Sequence, residues 1–174
     1  MDDGRLEAPA TRHRQVAPET EARELLSRLR QLGLTVATAE SLTGGLLCST
    51  LVDVPGASDV VRGGVVAYAT DLKTQLLGVD AALLAAGGPV QALVAEQMAV
   101  GACRLMRADL TMATTGVAGP GDSEAGSAGL VYVAVCLGGK AVSRELHLAG
   151  GRTEVRLATV AAVINLALEQ LAGR

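Results

Sequence analysis

The chain has almost no aromatic side chains: Tyr68 and Tyr132 are present, and Phe and Trp are absent. Single-stranded nucleic acid is held by rings on which bases stack, so this composition argues against such a groove. Basic residues are not in excess either. Fifteen Lys and Arg face eighteen Asp and Glu, a net charge of −3, which argues against binding a phosphate backbone directly. Cysteine is scarce, and Cys48, Cys103 and Cys136 are odd in number, far apart and without a C-x-x-C pair. That excludes a disulfide framework and a zinc site and leaves buried free thiols as the expectation. With His13 and His147 as the two histidines, a multi-histidine metal centre is excluded, and neither metal nor cofactor is expected. No apolar run reaches membrane-spanning length and the first residues are charged, so a cytoplasmic protein without membrane contact is expected.

What the chain does have is 49% apolar residues and 21 glycines in 174 residues, enough for one domain with a core of Val, Leu, Ala and Met. Residues 1–17 read as a loose N-terminal tail and 18–174 as a single domain, with Pro18 near the first helical position. Ala22, Leu25, Leu26, Leu29 and Leu32 predict a helix from Glu19 that stops at Gly33. A short strand, Leu34–Ala39, runs into a helix ending near Val52. Val60–Tyr68 predicts a strand with a bulge or a point of close approach at Gly63-Gly64, and Thr70-Asp71 a cap for a following helix. The segment from Val90 to Met106 predicts a long helix whose inner face carries Val90, Leu93, Val94, Met98, Gly101, Ala102 and Leu105. Strands follow at Leu110–Thr115, Leu130–Leu137 and Ala141–Leu148, the last two joined by a Gly138-Gly139 turn. A final helix, Thr153–Leu171, is apolar nearly all round, as in a deeply buried helix or one covered by another subunit. Alternating helices and strands with one hairpin predict an α/β fold with a mixed sheet.

Three strand ends open into Gly, Ser or Thr. At Glu40-Ser-Leu-Thr-Gly-Gly45, Ser41 reads either as a nucleophile beside free backbone N–H groups or, with Thr43, as a helix cap. At Tyr68-Ala-Thr-Asp-Leu-Lys73, Lys73 reads as a solvated helix residue or, if partly desolvated, as a base for Ser41, since no interior histidine is at hand. Tyr68 serves either a hydrogen-bond network or the core. At Thr114-Thr-Gly-Val-Ala-Gly-Pro-Gly-Asp122, the glycines permit close ligand approach or form a surface turn, and no standard nucleotide motif applies. Arg152 and Arg156, four apart on one helical face, suit a carboxylate or phosphate, or a plain charge cluster with Glu154. Candidate substrate-binding residues are thus Thr43, Gly44, Gly45, Gly116, Gly119, Arg152 and Arg156.

Thr38-Ala-Glu-Ser-Leu-Thr-Gly-Gly45, Tyr68 with Lys73 and Leu77-Gly-Val79, Thr115-Gly-Val-Ala-Gly-Pro120 and Gly129-Leu-Val-Tyr132 occur in that order. The set resembles the C-terminal domain of the competence-damage-inducible protein CinA, from about Thr35 to Leu171. The resemblance implies a three-layer α/β/α sandwich with a mixed, mostly parallel sheet. It implies a homodimer, a small nucleotide substrate and no cofactor. The implied activity is hydrolysis of the carboxamide of nicotinamide mononucleotide to nicotinate mononucleotide and ammonia, in pyridine nucleotide salvage. Ser41 matches the catalytic serine of that family, Lys73 its base, Tyr68 and Thr115 its other active-site hydroxyls, and Arg152 or Arg156 its arginine. A stand-alone domain is expected, without the N-terminal domain of longer members. This chain departs from the family in having Leu42 where many members have Cys, and no base between Ser123 and Gly129. The alternative is a catalytically silent nucleotide-binding or regulatory module linked to competence or DNA damage.

Overall fold

A computed structural model describes residues 19–119 and 127–174. The expected tail, residues 1–17, the position of Pro18 and part of the glycine loop therefore lie outside the described residues. Helix α1 (Glu19–Leu32) buries Ala22, Leu25, Leu26 and Leu29 completely, as its 3.6-residue spacing requires. Strand β1 (Val36–Glu40) follows, then α2 (Leu46–Val52), a 3-10 turn (Ala57–Asp59) and β2 (Val61–Val66). Helices α3 (Thr70–Leu77), α4 (Ala81–Gly87) and α5 (Ala92–Met106) precede β3 (Leu110–Gly116). The chain ends with β4 (Leu130–Leu137), β5 (Lys140–His147) and α6 (Arg152–Leu171).

The five strands form one sheet in the order β2-β1-β3-β4-β5. Strand β1 pairs parallel with β2 and β3, whereas β4 and β5 join antiparallel, so four of the five strands share a direction. The β4–β5 turn uses Gly138 and Gly139, both at positive φ (59° and 82°), which a two-residue hairpin requires. In β2 the register slips so that Val36 faces Val61 and Ala37 faces Gly63, which places the expected bulge at Arg62-Gly63.

Two cores flank the sheet. One face carries Val36, Leu110, Met112, Val131, Val133 and Val135 against α1, α2 and α6. The other presents small residues, Ala39, Ala113 and Ala134, to Ala95, Met98, Ala99 and Ala102 of α5. The resulting arrangement is the three-layer α/β/α sandwich. Small facing residues let α5 lie close to the sheet, which is how a domain nearly devoid of aromatics fills its interior. The same closeness recurs between helices: a side chain at Gly101 of α5 would collide with the carbonyl oxygen of Leu77 in α3.

Several local expectations are corrected. Leu93 and Leu105 are 55% and 50% exposed, because the buried stripe of α5 runs through Val94, Ala95, Met98, Ala99 and Ala102. Leu93 sits about 100° back from Val94 around the helix, off that stripe. Thr70 and Asp71 lie inside the first turn of α3; Ala69 takes the cap position, with no side-chain cap bond. Helix α4, unforeseen, is capped by Asp80, whose carboxylate accepts the Ala82 N–H at 2.8 Å. Of the cysteines only Cys136 is fully buried; Cys48 and Cys103 are half-buried.

Candidate active site

Parallel strands β1, β2 and β3 end at the same edge of the sheet, where open α/β sheets place their ligands. The chain leaves β1 through Glu40 and Ser41, and the Ser41 N–H donates to the Thr114 carbonyl at the end of β3 (3.0 Å). Glu40 is fully buried. Its carboxylate accepts the N–H groups of Gly45 (2.9 Å), Leu47 (3.0 Å) and Cys48 (2.8 Å) and the Thr38 hydroxyl (3.2 Å). Glu40 thereby satisfies the otherwise orphan donors at the start of α2. The loop between needs two residues at positive φ, supplied by Gly44 (58°) and Gly45 (92°). Ser41 is therefore not the cap of α2, and the α2 N-terminus already holds a carboxylate.

Ser41 instead meets Lys73. The Lys73 Nζ lies 3.0 Å from Ser41 Oγ, 2.7 Å from the Ala67 carbonyl and 3.5 Å from the Tyr68 carbonyl. Lys73 is 1% exposed, so the reading of it as a solvated helix residue fails. It projects from α3 into the core while its Nζ reaches the end of β1. Burial without a nearby counter-charge lowers its pKa from 10.5 to about 8, so about one Lys73 in ten is neutral at pH 7. In the neutral form two N–H groups can stay on the two carbonyls and leave the lone pair for the serine proton.

Around this pair is a cleft of about 150 Å³, lined also by Leu42, Tyr68, Pro89, Val90, Thr115, Gly116, Ala118 and Arg152. That is below the roughly 300–1,000 Å³ of sites that enclose a drug-sized ligand, and suits one small ring with its substituent. Thr115 is 1% exposed and its hydroxyl donates to the Pro89 carbonyl at 2.8 Å. Tyr68 is 63% exposed and stands at the rim; its backbone carbonyl, not its hydroxyl, contacts Lys73. Arg152 packs over Gly119, where a Cβ would lie 2.5 Å from its Nη2. Arg156 does not line the cleft: its Nη2 donates to the Thr43 carbonyl at 2.6 Å. Thr43 is buried with its hydroxyl 2.8 Å from that of Thr114. The structure thus brings Ser41, Lys73, Tyr68, Thr115, Gly116 and Arg152 together. Thr43, Gly44, Gly45 and Arg156 support the serine turn from behind, and Gly119 lies under Arg152.

Among the described residues the backbone N–H groups of Leu42 and Thr43 meet no acceptor. No group of three or more His, Cys, Asp or Glu among these residues is placed to hold a metal. His147 is exposed on β5 and bonds Glu145 at 2.8 Å, away from the cleft. Sequence reasoning assigned no role to Glu40 or Pro89. The Glu-Ser junction before two glycines was the available signal for the first; nothing local signalled the second. No described helix is long and apolar enough to cross a membrane.

The profile of the CinA C-terminal domain matches residues 18–171. A CinA-like protein of Frankia casuarinae is 43% identical over 149 residues, which are 86% of this chain and 34% of that protein. A CinA-like protein of Mycolicibacterium gilvum is 46% identical over 143 residues, 81% of this chain and again 34% of the relative. The chain thus spans about a third of these curated relatives. The crystal structure of the competence/damage inducible protein CihA from Agrobacterium tumefaciens superposes with a TM-score of 0.85 at 39% identity, covering 92% of this chain and 99% of that one.

Proposed function

The chain belongs to the CinA C-terminal domain family, and on that premise we propose that it is a serine amidohydrolase acting on nicotinamide mononucleotide. The observation that carries this reading is the buried Lys73 Nζ at 3.0 Å from Ser41 Oγ, with its other contacts taken by backbone carbonyls. A lysine so placed activates a hydroxyl as an adjacent histidine does elsewhere.

In this mechanism neutral Lys73 takes the Ser41 proton as Oγ attacks the carboxamide carbon. The negative charge that develops on the amide oxygen is met by the free N–H group of Leu42, the first donor after the nucleophile. The C–N bond then breaks, the Lys73 ammonium gives its proton to the departing nitrogen, and ammonia leaves. Water attacks the Ser41 ester with Lys73 again as base, releasing the carboxylate and restoring the serine. The cleft takes the pyridine ring with its amide, and Arg152 at the mouth meets the phosphate that stays outside. The homodimer implied by the family and the cytoplasmic setting expected from the composition are carried forward as part of this proposal, and light scattering of the purified chain tests the first.

The test is ammonia release from nicotinamide mononucleotide, nicotinamide riboside, nicotinamide and the dinucleotide, with product identified by mass. The mononucleotide is expected to be the best substrate. No release from any of the four overturns the proposal.

A further inference from the structure

Thr115 differs from Lys73 and Arg152 in what its hydrogen bond leaves over. Its hydroxyl lies 2.8 Å from the Pro89 carbonyl oxygen. A carbonyl can only accept, so the Thr115 proton is committed to Pro89 and the oxygen has only lone pairs left to offer. The residue is 1% exposed and lines the cleft, so water cannot readily reverse that commitment. Lys73, Arg152 and the N–H group of Leu42 are donors among the residues that line the cleft. Thr115 is a fixed acceptor among them.

We infer that Thr115 is the specificity-determining residue that distinguishes a carboxamide from the carboxylate it becomes. A planar carboxamide presents one acceptor and one donor. With its oxygen on the donor of the serine turn, its NH2 finds an acceptor in Thr115 Oγ1. The carboxylate product has an oxygen in place of that nitrogen and sets lone pair against lone pair. A group that lacks the donor leaves the site's polar atom unpaired, which is the stronger kind of discrimination. Turnover thus destroys the contact that held the substrate and weakens the product's hold.

This inference rests on the amidohydrolase reading, and its test keeps the two apart. Ammonia release by the unmodified chain comes first; its absence overturns both. Given release, dissociation constants of nicotinamide mononucleotide, nicotinate mononucleotide and the methyl-ketone analogue, with CH3 in place of NH2, are measured by calorimetry in the Ser41→Ala background. There neither hydrolysis nor addition of serine to the ketone intervenes. The ketone is expected to bind about tenfold more weakly than the amide, the equivalent of one hydrogen bond. Adding Thr115→Val should reduce the preference for amide over carboxylate about tenfold, and adding Thr115→Ser should leave it within about threefold. Equal loss of both ligands in Thr115→Val, or amide and ketone binding alike when Thr115 is intact, overturns the inference. The ketone comparison needs no change at Thr115, so amide and ketone binding alike overturns the inference even if the valine variant fails to fold, and Thr115→Ala then replaces the valine variant in testing for the loss of amide preference.

Discussion

Two buried charges flank Ser41, and they are handled in opposite ways. Glu40, at the end of β1, receives three backbone N–H groups and one hydroxyl, which fills the acceptor sites of a carboxylate. Lys73, reaching in from α3, faces two carbonyls and one hydroxyl, and that hydroxyl can give a proton as well as take one. The Glu40 region is closed: each donor there is fixed and belongs to the main chain or to Thr38. The Lys73 region is open: shifting one proton between Nζ and Oγ leaves both partners hydrogen-bonded. A buried charge becomes reactive through the exchangeability of its partners, and burial alone does not decide it.

The largest expected effect comes from breaking the open side. Ser41→Ala and Lys73→Met should each lower turnover of nicotinamide mononucleotide about a thousandfold or more, read by ammonia release. The serine variant should melt close to the parent, since the Ser41 hydroxyl caps no helix. Breaking the closed side should act first on stability. Glu40→Gln places an NH2 donor against the N–H groups at the start of α2, and is expected to cost about 2–3 kcal/mol in urea unfolding. Its remaining folded fraction should keep the pH midpoint of the parent, because the pKa of Lys73 is lowered by burial and not by Glu40.

A third effect, of similar size at the top of the range, sharpens the contrast through pH. Lys73 has a folded pKa of about 8 against 10.5 when unfolded, so between those values the unfolded chain binds more protons. Stability of the parent should therefore rise with pH across that window relative to Lys73→Met, and the difference should be level below pH 8. Parallel thermal melts from pH 7 to 10 check the sign. Smallest of all, brief treatment with a thiol-blocking reagent should change activity less than about twofold. Burial pushes the Cys136 thiol up to about 12 and raises that of Cys48, so reactive thiolate is scarce at neutral pH.

Much of the architecture was legible because it is local. The α1 stripe, the slip at Gly63 and the turn at Gly138-Gly139 follow from spacing and backbone freedom within a few residues. Helix α4 was not, since Ala81–Gly87 is short, rich in alanine and without a period. Leu93 and Leu105 were misplaced because the inner face of α5 is marked by small residues, which a hydrophobic pattern underweights. In the cleft, Ser41 and Lys73 are separated by 32 positions, and their pairing beforehand rested on the want of an interior histidine and on the family's motif set. That Lys73 is buried depends on how α3 docks, and the distinction between Arg152 at the cleft and Arg156 behind it on how α6 docks. Glu40 was visible as a residue, yet its task depends on where the chain turns after Gly44.

The most direct test of a Ser41–Lys73 proton exchange is the pH dependence of kcat/KM for nicotinamide mononucleotide, which reports groups of the free enzyme, compared with Lys73→Arg. The parent should rise through about pH 8 and level off above it, as neutral Lys73 accumulates. The arginine variant keeps the charge but cannot release the proton, and should be inactive at every pH. A parent profile without an inflection near pH 8, or an arginine variant that keeps most of the activity, would contradict the account.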